Sequence, residues 1–229
     1  MTFETFAGIV AAEFPFVTAQ QMERFRAMEA LYLDWNAKIN VISRKDTDGF
    51  YQHHVLHSLA IASYWLREMP KAQAAGTPTV LDVGTGGGFP GIPLAILCPA
   101  MEFTLCDSIG KKIKVASAVA EVLGLENVTA VNARAESLPQ TFDFVVSRAV
   151  TTLDNFYPWV KDKFTGSIFY LKGGDVNEEI AELMGHQRLQ KGSVSAWRVD
   201  SWLEDKYFEE KFVIKIEKDY LCSPIVGNI

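Results

Sequence analysis

The 229-residue sequence predicts an α/β fold, a parallel sheet with helices on both faces, preceded by an N-terminal helical layer. Three observations carry this. Apolar residues before residue 77 recur at helical spacing, and after Pro78 short β-branched or aromatic runs alternate with helical segments. One of those runs, residues 80–83, passes straight into a glycine-rich loop and a helix. The expected division is 1–77 for the helical extension and 78–229 for the α/β domain.

Each element has its own signal. Thr18 followed by Gln21 is a capping-box pattern, and Met22, Phe25, Met28, Tyr32 and Trp35 then repeat at helical spacing up to Asn36. A polar turn at 43–48 precedes a second run, with Val55, Leu59, Ala62 and Leu66 expected on one face and Pro70 ending it; 71–78 reads as a connection. Strands are expected at 79–83, 102–106, 127–132, 142–146 and 167–171. Near the end, 194–199 and the alternating Phe212, Ile214 and Ile216 are expected to pair antiparallel at one sheet edge.

Composition narrows the class. With 48% apolar and 22% charged residues, 16 Gly and 9 Pro, the chain fits none of the disordered, collagen-like or coiled-coil classes. No stretch approaches the roughly 20 apolar residues of a membrane span, and the N-terminus has no basic segment before its apolar residues, so a soluble cytoplasmic protein is expected. Cys98, Cys106 and Cys222 are odd in number and lack metal-ligand spacing, which predicts reduced thiols. The net charge of -6 speaks against broad, nonspecific attraction to nucleic acid.

The sharpest feature runs from Val80 to Gly91: Val80-Leu81-Asp82-Val83-Gly84-Thr85-Gly86-Gly87-Gly88-Phe89-Pro90-Gly91, followed by a helix at 92–97. A loop poor in Cβ atoms lets a ligand touch backbone, and the helix start offers free N–H groups. Gly86, Gly88 and Gly91 satisfy the dinucleotide fingerprint, which alone is weak. Asp82 favours the cationic end of S-adenosylmethionine over a pyrophosphate, and Asp107, ending the second strand, suits ribose hydroxyls in either cofactor. After the third strand, Arg134-Ala135-Glu136 puts a carboxylate and backbone amides where an adenine edge fits; otherwise Glu136 is a helix-start acid. Arg148 is expected at the cleft mouth, to clamp a carboxylate, phosphate or guanine O6, the alternative being an ion pair with Glu136 or Asp107. Lys172 ends the fifth strand in the same way.

Arg44, Lys111, Lys112 and Lys172 are candidate RNA contacts that, folded around the strand ends, would make a local basic rim; the alternative is a solvated face. His53 and His57 stand four residues apart but lack a third ligand, so no metal is expected, and with His54 they read as a polar face against the cofactor domain.

These segments together resemble the ribosomal RNA small subunit methyltransferase G (RsmG, also GidB) family. The resemblance is carried by Trp35 to Ser43, His54-Val55-Leu56-His57-Ser58-Leu59, Leu81 to Leu94, Asp107-Ser108 with Lys111-Lys112, Arg134-Ala135-Glu136, Ser147-Arg148-Ala149 and Leu171-Lys172-Gly173. It implies a Rossmann-like class I methyltransferase sheet and a cytoplasmic bacterial enzyme. The implied reaction is S-adenosylmethionine-dependent methylation at N7 of one guanosine in 16S ribosomal RNA, in the small subunit or an assembly intermediate. It also implies cofactor contacts at Gly84, Phe89, Ala135, Glu136 and Arg148, with Asp107 on the ribose. His57 stands where the family usually has Asp, and Ser223-Pro224-Ile225 where some members carry a basic Pro-Arg segment. On the residues alone, an NAD-dependent oxidoreductase and a small-molecule methyltransferase are the alternatives.

Overall fold

The computed structural model describes residues 1–42, 49–68 and 76–218, the side chain of Glu68 excepted. The expected turn at 43–48 with Arg44, most of the 71–78 connection, Pro70 and Cys222 lie outside the described residues.

The chain opens with helix α1 (Phe3–Glu13), which the sequence reading did not anticipate. Its Phe6 and Val10, together with Phe14 just beyond it, are fully buried. Helix α2 (Ala19–Lys38) starts as expected. Thr18 Oγ1 accepts from Gln21 N at 3.2 Å, and Gln21 Oε1 accepts from Thr18 N at 2.8 Å. The buried Gln21 amide also donates to the carbonyls of Ile96 and Leu97, at 2.7 and 3.0 Å. One side chain therefore starts α2 and closes the end of the helix that follows the glycine loop.

A π-helical segment, Phe50–Leu56, runs into α3 (His57–Glu68). The expected apolar face needs correction here: residues 55–64 are buried on every side, whereas Leu66 is 52% exposed. The segment lies against α4 and the sheet strands, so a single stripe does not describe it.

The α/β part follows in order: β1 (Thr79–Val83), α4 (Gly91–Leu97), β2 (Glu102–Asp107), α5 (Gly110–Val122), β3 (Val128–Asn132), β4 (Phe142–Arg148), α6 (Leu153–Val160), β5 (Phe164–Gly173), α7 (Asn177–Gln187), β6 (Val194–Arg198) and β7 (Lys211–Glu217). Among the described residues the sheet has seven strands in the order β3-β2-β1-β4-β5-β7-β6. The first five pair in parallel; β7 pairs antiparallel with both β5 and β6, the edge arrangement the sequence predicts.

Successive strand residues alternate between two cores. Val80, Leu105, Val146, Phe169 and Val213 face one side with α4, α5 and the buried residues of α1–α3. Leu81, Cys106, Val145, Ile168, Tyr170 and Ile214 face the other with α6 and α7. The N-terminal helices thus share a continuous core with one face of the sheet.

Replacing Thr18 with Ala is expected to cost about 1 kcal/mol through loss of the cap. Gln21→Leu also leaves two carbonyls without their donor, and is expected to cost about 2 kcal/mol or more in urea unfolding, with an unchanged denaturant slope.

Candidate cofactor and acceptor site

The strand order reverses at β1 and β4, where an open α/β sheet leaves a crevice beyond its strand ends. A cavity of about 540 Å³ occupies that place. Its lining comes from the end of β1 (Val83, Gly84), the end of β2 and its loop (Asp107, Ser108, Ile109), the first turn of α5 (Lys112), the turn after β3 (Arg134, Ala135, Glu136), the end of β4 (Arg148, Ala149, Val150) and Trp159 of α6.

Five of the sequence-predicted cofactor residues therefore meet there: Gly84, Asp107, Ala135, Glu136 and Arg148. Asp82, Gly86, Gly88 and Phe89 are not among the residues that line the cavity. The Asp82 carboxylate is fully buried beneath the loop, where Oδ2 accepts from the Thr85 hydroxyl at 2.6 Å and from Gly91 N at 2.8 Å, and Oδ1 has no partner among the described residues. Burial pushes this carboxyl up to about 7, against the opposite pull of those two hydrogen bonds and of Arg148.

Gly91 has to be glycine because a Cβ there would lie 2.2 Å from Leu105 and 2.6 Å from Asp82 Oδ2. Gly84, at φ +68°, turns the chain out of β1, and a Cβ on it would meet the Val150 side chain at 2.5 Å. The dinucleotide-like register of glycines is thus explained in part by packing within the chain.

Asp107 joins loop to cavity. Oδ2 accepts from Gly86 N at 2.9 Å and Oδ1 from Ile109 N at 2.8 Å, so each oxygen of this cavity-lining residue can accept one more hydrogen bond. Arg148 lines the cavity mouth as expected, and the alternative, an ion pair with Glu136 or Asp107, is not formed. Its guanidinium donates to the His53 carbonyl at 3.3 Å, lies 3.2 Å from His54 Nδ1, and sits over the Phe89 ring at 5.1 Å. The histidine-bearing segment is thereby joined to the cavity wall. His53 stacks on Tyr207 at 3.9 Å, and His57 packs edge-on to Tyr207 and Phe208. Burial, helped by Arg148 and Lys211, holds His57 well below the usual imidazole range, so it packs as a neutral ring.

Of the candidate RNA contacts, Lys112 lines the cavity and Lys111 is exposed beside it. Lys172 points elsewhere: it pairs with Glu179 at 2.7 Å and donates to the Thr151 carbonyl at 3.2 Å. Arg44 lies outside the described residues. Among the described residues no cluster of His, Cys, Asp or Glu is arranged to hold a metal, and no helix is long and apolar enough to cross a membrane. Trp159, Ile109 and Val150 were not anticipated. Val150 follows the Ser147-Arg148-Ala149 string directly, whereas nothing in the spacing of α6 points Trp159 to the cavity.

Fold and site together define a Rossmann-like class I methyltransferase that uses S-adenosylmethionine. The magnesium protoporphyrin IX methyltransferase of Synechocystis PCC 6803, solved with bound S-adenosylmethionine, shares the fold: TM-score 0.56 at 14% identity, over 88% of this chain and 98% of that one. The chain belongs to the GidB family, rRNA small subunit methyltransferase G, whose description matches residues 19–202. Similar relatives carry the name ribosomal RNA small subunit methyltransferase G. That of Flavobacterium psychrophilum is 51% identical over 85% of this chain and 92% of its own, and that of Christiangramia forsetii 44% over 90% and 95%. Membership sets aside the oxidoreductase and small-molecule alternatives.

Between an unfolded-state value near 3.8 and about 7, the folded chain keeps a proton on Asp82 that the unfolded chain has lost. Its contribution to stability therefore declines as pH rises through that window and is lowest above it. Asp82→Asn retains one oxygen for both donors and never ionises. The ligand-free variant is expected to melt at or above the wild-type temperature at pH 8, with the advantage fading toward pH 4. A large loss at pH 8 would show that the charge itself holds the loop.

Proposed function

We propose that the protein transfers the methyl group of S-adenosylmethionine to N7 of one guanosine in 16S ribosomal RNA, within the small subunit or its assembly intermediate, in the bacterial cytoplasm. Residues 78–229 carry the chemistry and residues 1–77 back the loop and supply part of the acceptor side. One observation carries the reading: Asp107 and Arg148 stand on opposite sides of Gly84 in a single cavity beyond the strand ends.

The residues fit the cofactor. Asp107 has lone pairs for ribose hydroxyls, while Ala135 and Glu136 supply a backbone and a carboxylate for the adenine edge. Ile109 and Trp159 give apolar surface for the base. When bound, S-adenosylmethionine supplies an electrophilic methyl carbon on a positively charged sulfur. Guanine N7 has a free lone pair in the neutral base, so the site needs no general base. Its contribution is alignment, which in favourable cases accounts for about 7–11 kcal/mol of a barrier. Arg148 orients the acceptor from the β4 side, and Lys111, Lys112 and Arg134 form a short basic rim on an otherwise acidic chain.

The test is incubation with labelled methyl donor and small subunits lacking the modification, followed by nucleotide mapping. The expected product is 7-methylguanosine at one position; label in another base or none would overturn the reading. A rim this small predicts a shallow salt dependence, since each neutralised phosphate adds about one unit of slope. Asp107→Ala is expected to raise the dissociation constant for S-adenosylmethionine about ten- to hundred-fold by calorimetry.

A further inference from the structure

Tyr170 is fully buried in β5, yet its hydroxyl leaves the sheet and meets the segment that departs from β4. It accepts from Val150 N at 2.8 Å and from Thr151 N at 3.0 Å, and donates to the Thr151 carbonyl at 2.8 Å. One donor and two lone pairs are all a phenol has, so its capacity is filled by two successive residues. Lys172 adds a second donor to the same carbonyl, and its partner Glu179 accepts from Leu153 N at 3.2 Å, where α6 begins. The Tyr170 ring is held edge-on against Phe156 at 4.8 Å.

The segment needs this support. Ala149 sits at φ +47°, in the left-handed region that non-glycine residues avoid. Ala149 and Val150 nevertheless form the cavity wall on the β4 side of Gly84, and Val150 leans over Gly84 itself. The opposite side, with Asp107, Ala135 and Glu136, is where the nucleoside of the cofactor fits. An acceptor base therefore enters past residues 148–150.

We propose that Tyr170 is a positioning residue for methyl transfer, its hydroxyl setting residues 149–151 as the wall against which the acceptor base is presented, with the Lys172–Glu179 pair as a second brace. The inference rests on the proposed function and deepens it by assigning the acceptor side of the site.

The test compares full-length wild type, Tyr170→Phe and Lys172→Met in four measurements: amide exchange at Val150 and Thr151, S-adenosylmethionine affinity, thermal melting, and single-turnover transfer to unmodified small subunits. Tyr170→Phe is expected to speed exchange at both amides and to lower the maximal transfer rate about ten-fold or more. Cofactor affinity should stay within about two-fold, and the half-saturating subunit concentration should barely change. Lys172→Met should lower the rate in the same way with salt dependence intact, and it carries the test if Tyr170→Phe does not fold. An undiminished rate, unchanged exchange, or cofactor affinity lost in step with the rate would overturn the inference. So would a raised half-saturation with a flatter salt dependence in Lys172→Met, which would mark a phosphate ligand. A wild type that transfers no methyl overturns the proposed function and this inference together, whereas an active wild type whose rate survives Tyr170→Phe overturns this inference alone.

Discussion

One carboxylate oxygen, Asp82 Oδ2, determines the shape of the site. By accepting from Thr85 and Gly91 it ties both ends of the glycine loop to the tip of β1. Within the loop, Gly88 N and Phe89 N both donate to the Thr85 carbonyl, at 2.9 Å each. Gly84 N and Thr85 N add bonds to the Cys106 carbonyl, at 2.8 and 3.1 Å, so the loop is also registered against β2. Asp107, one residue further along β2, then lands beside Gly86 with lone pairs still available. Position of the second acid thus follows from the anchoring of the first.

The N-terminal helices close the loop from behind. The Tyr32 hydroxyl donates to the Gly87 carbonyl at 2.8 Å, and the Tyr32 ring packs on Phe89 at 4.7 Å. Gln21 closes the end of α4, and the π-helical segment brings His53 and His54 to Arg148. Burial of these aromatics contributes through apolar area, on the order of 25 cal/mol per Å². The hydrogen bonds contribute direction: each one ends on backbone or on a side chain of the cavity wall.

Much of the fold was legible because its signals are local. The five parallel strands are continuous apolar runs between turn residues, as a sheet covered on both faces requires, and the Thr18–Gln21 cap is written into two residues. Helix α1 went unread although Phe6, Val10 and Phe14 recur at four-residue steps, because eleven residues that include Gly8 give that stripe little length. Leu66 was misplaced because α3 is buried all round for most of its length, a property set by neighbours distant in sequence. The site divides the same way. That Gly84, Asp107, Ala135, Glu136 and Arg148 would gather in one crevice was readable because each sits at or just after a strand's end. The inward turn of Lys172 and the hydroxyl of Tyr170 depend on side-chain directions that spacing does not encode.

The contact of Arg148 with the His53 carbonyl and the His54 ring bears on how freely the parts of this chain can be exchanged. A guanidinium shared between helical layer and catalytic fold makes the two non-modular. Grafting a foreign helical layer onto the sheet would remove the His53 and His54 contacts from a residue of the cavity wall. Redesign of substrate preference has to treat the histidine-bearing segment and the tip of β4 as a single inherited unit.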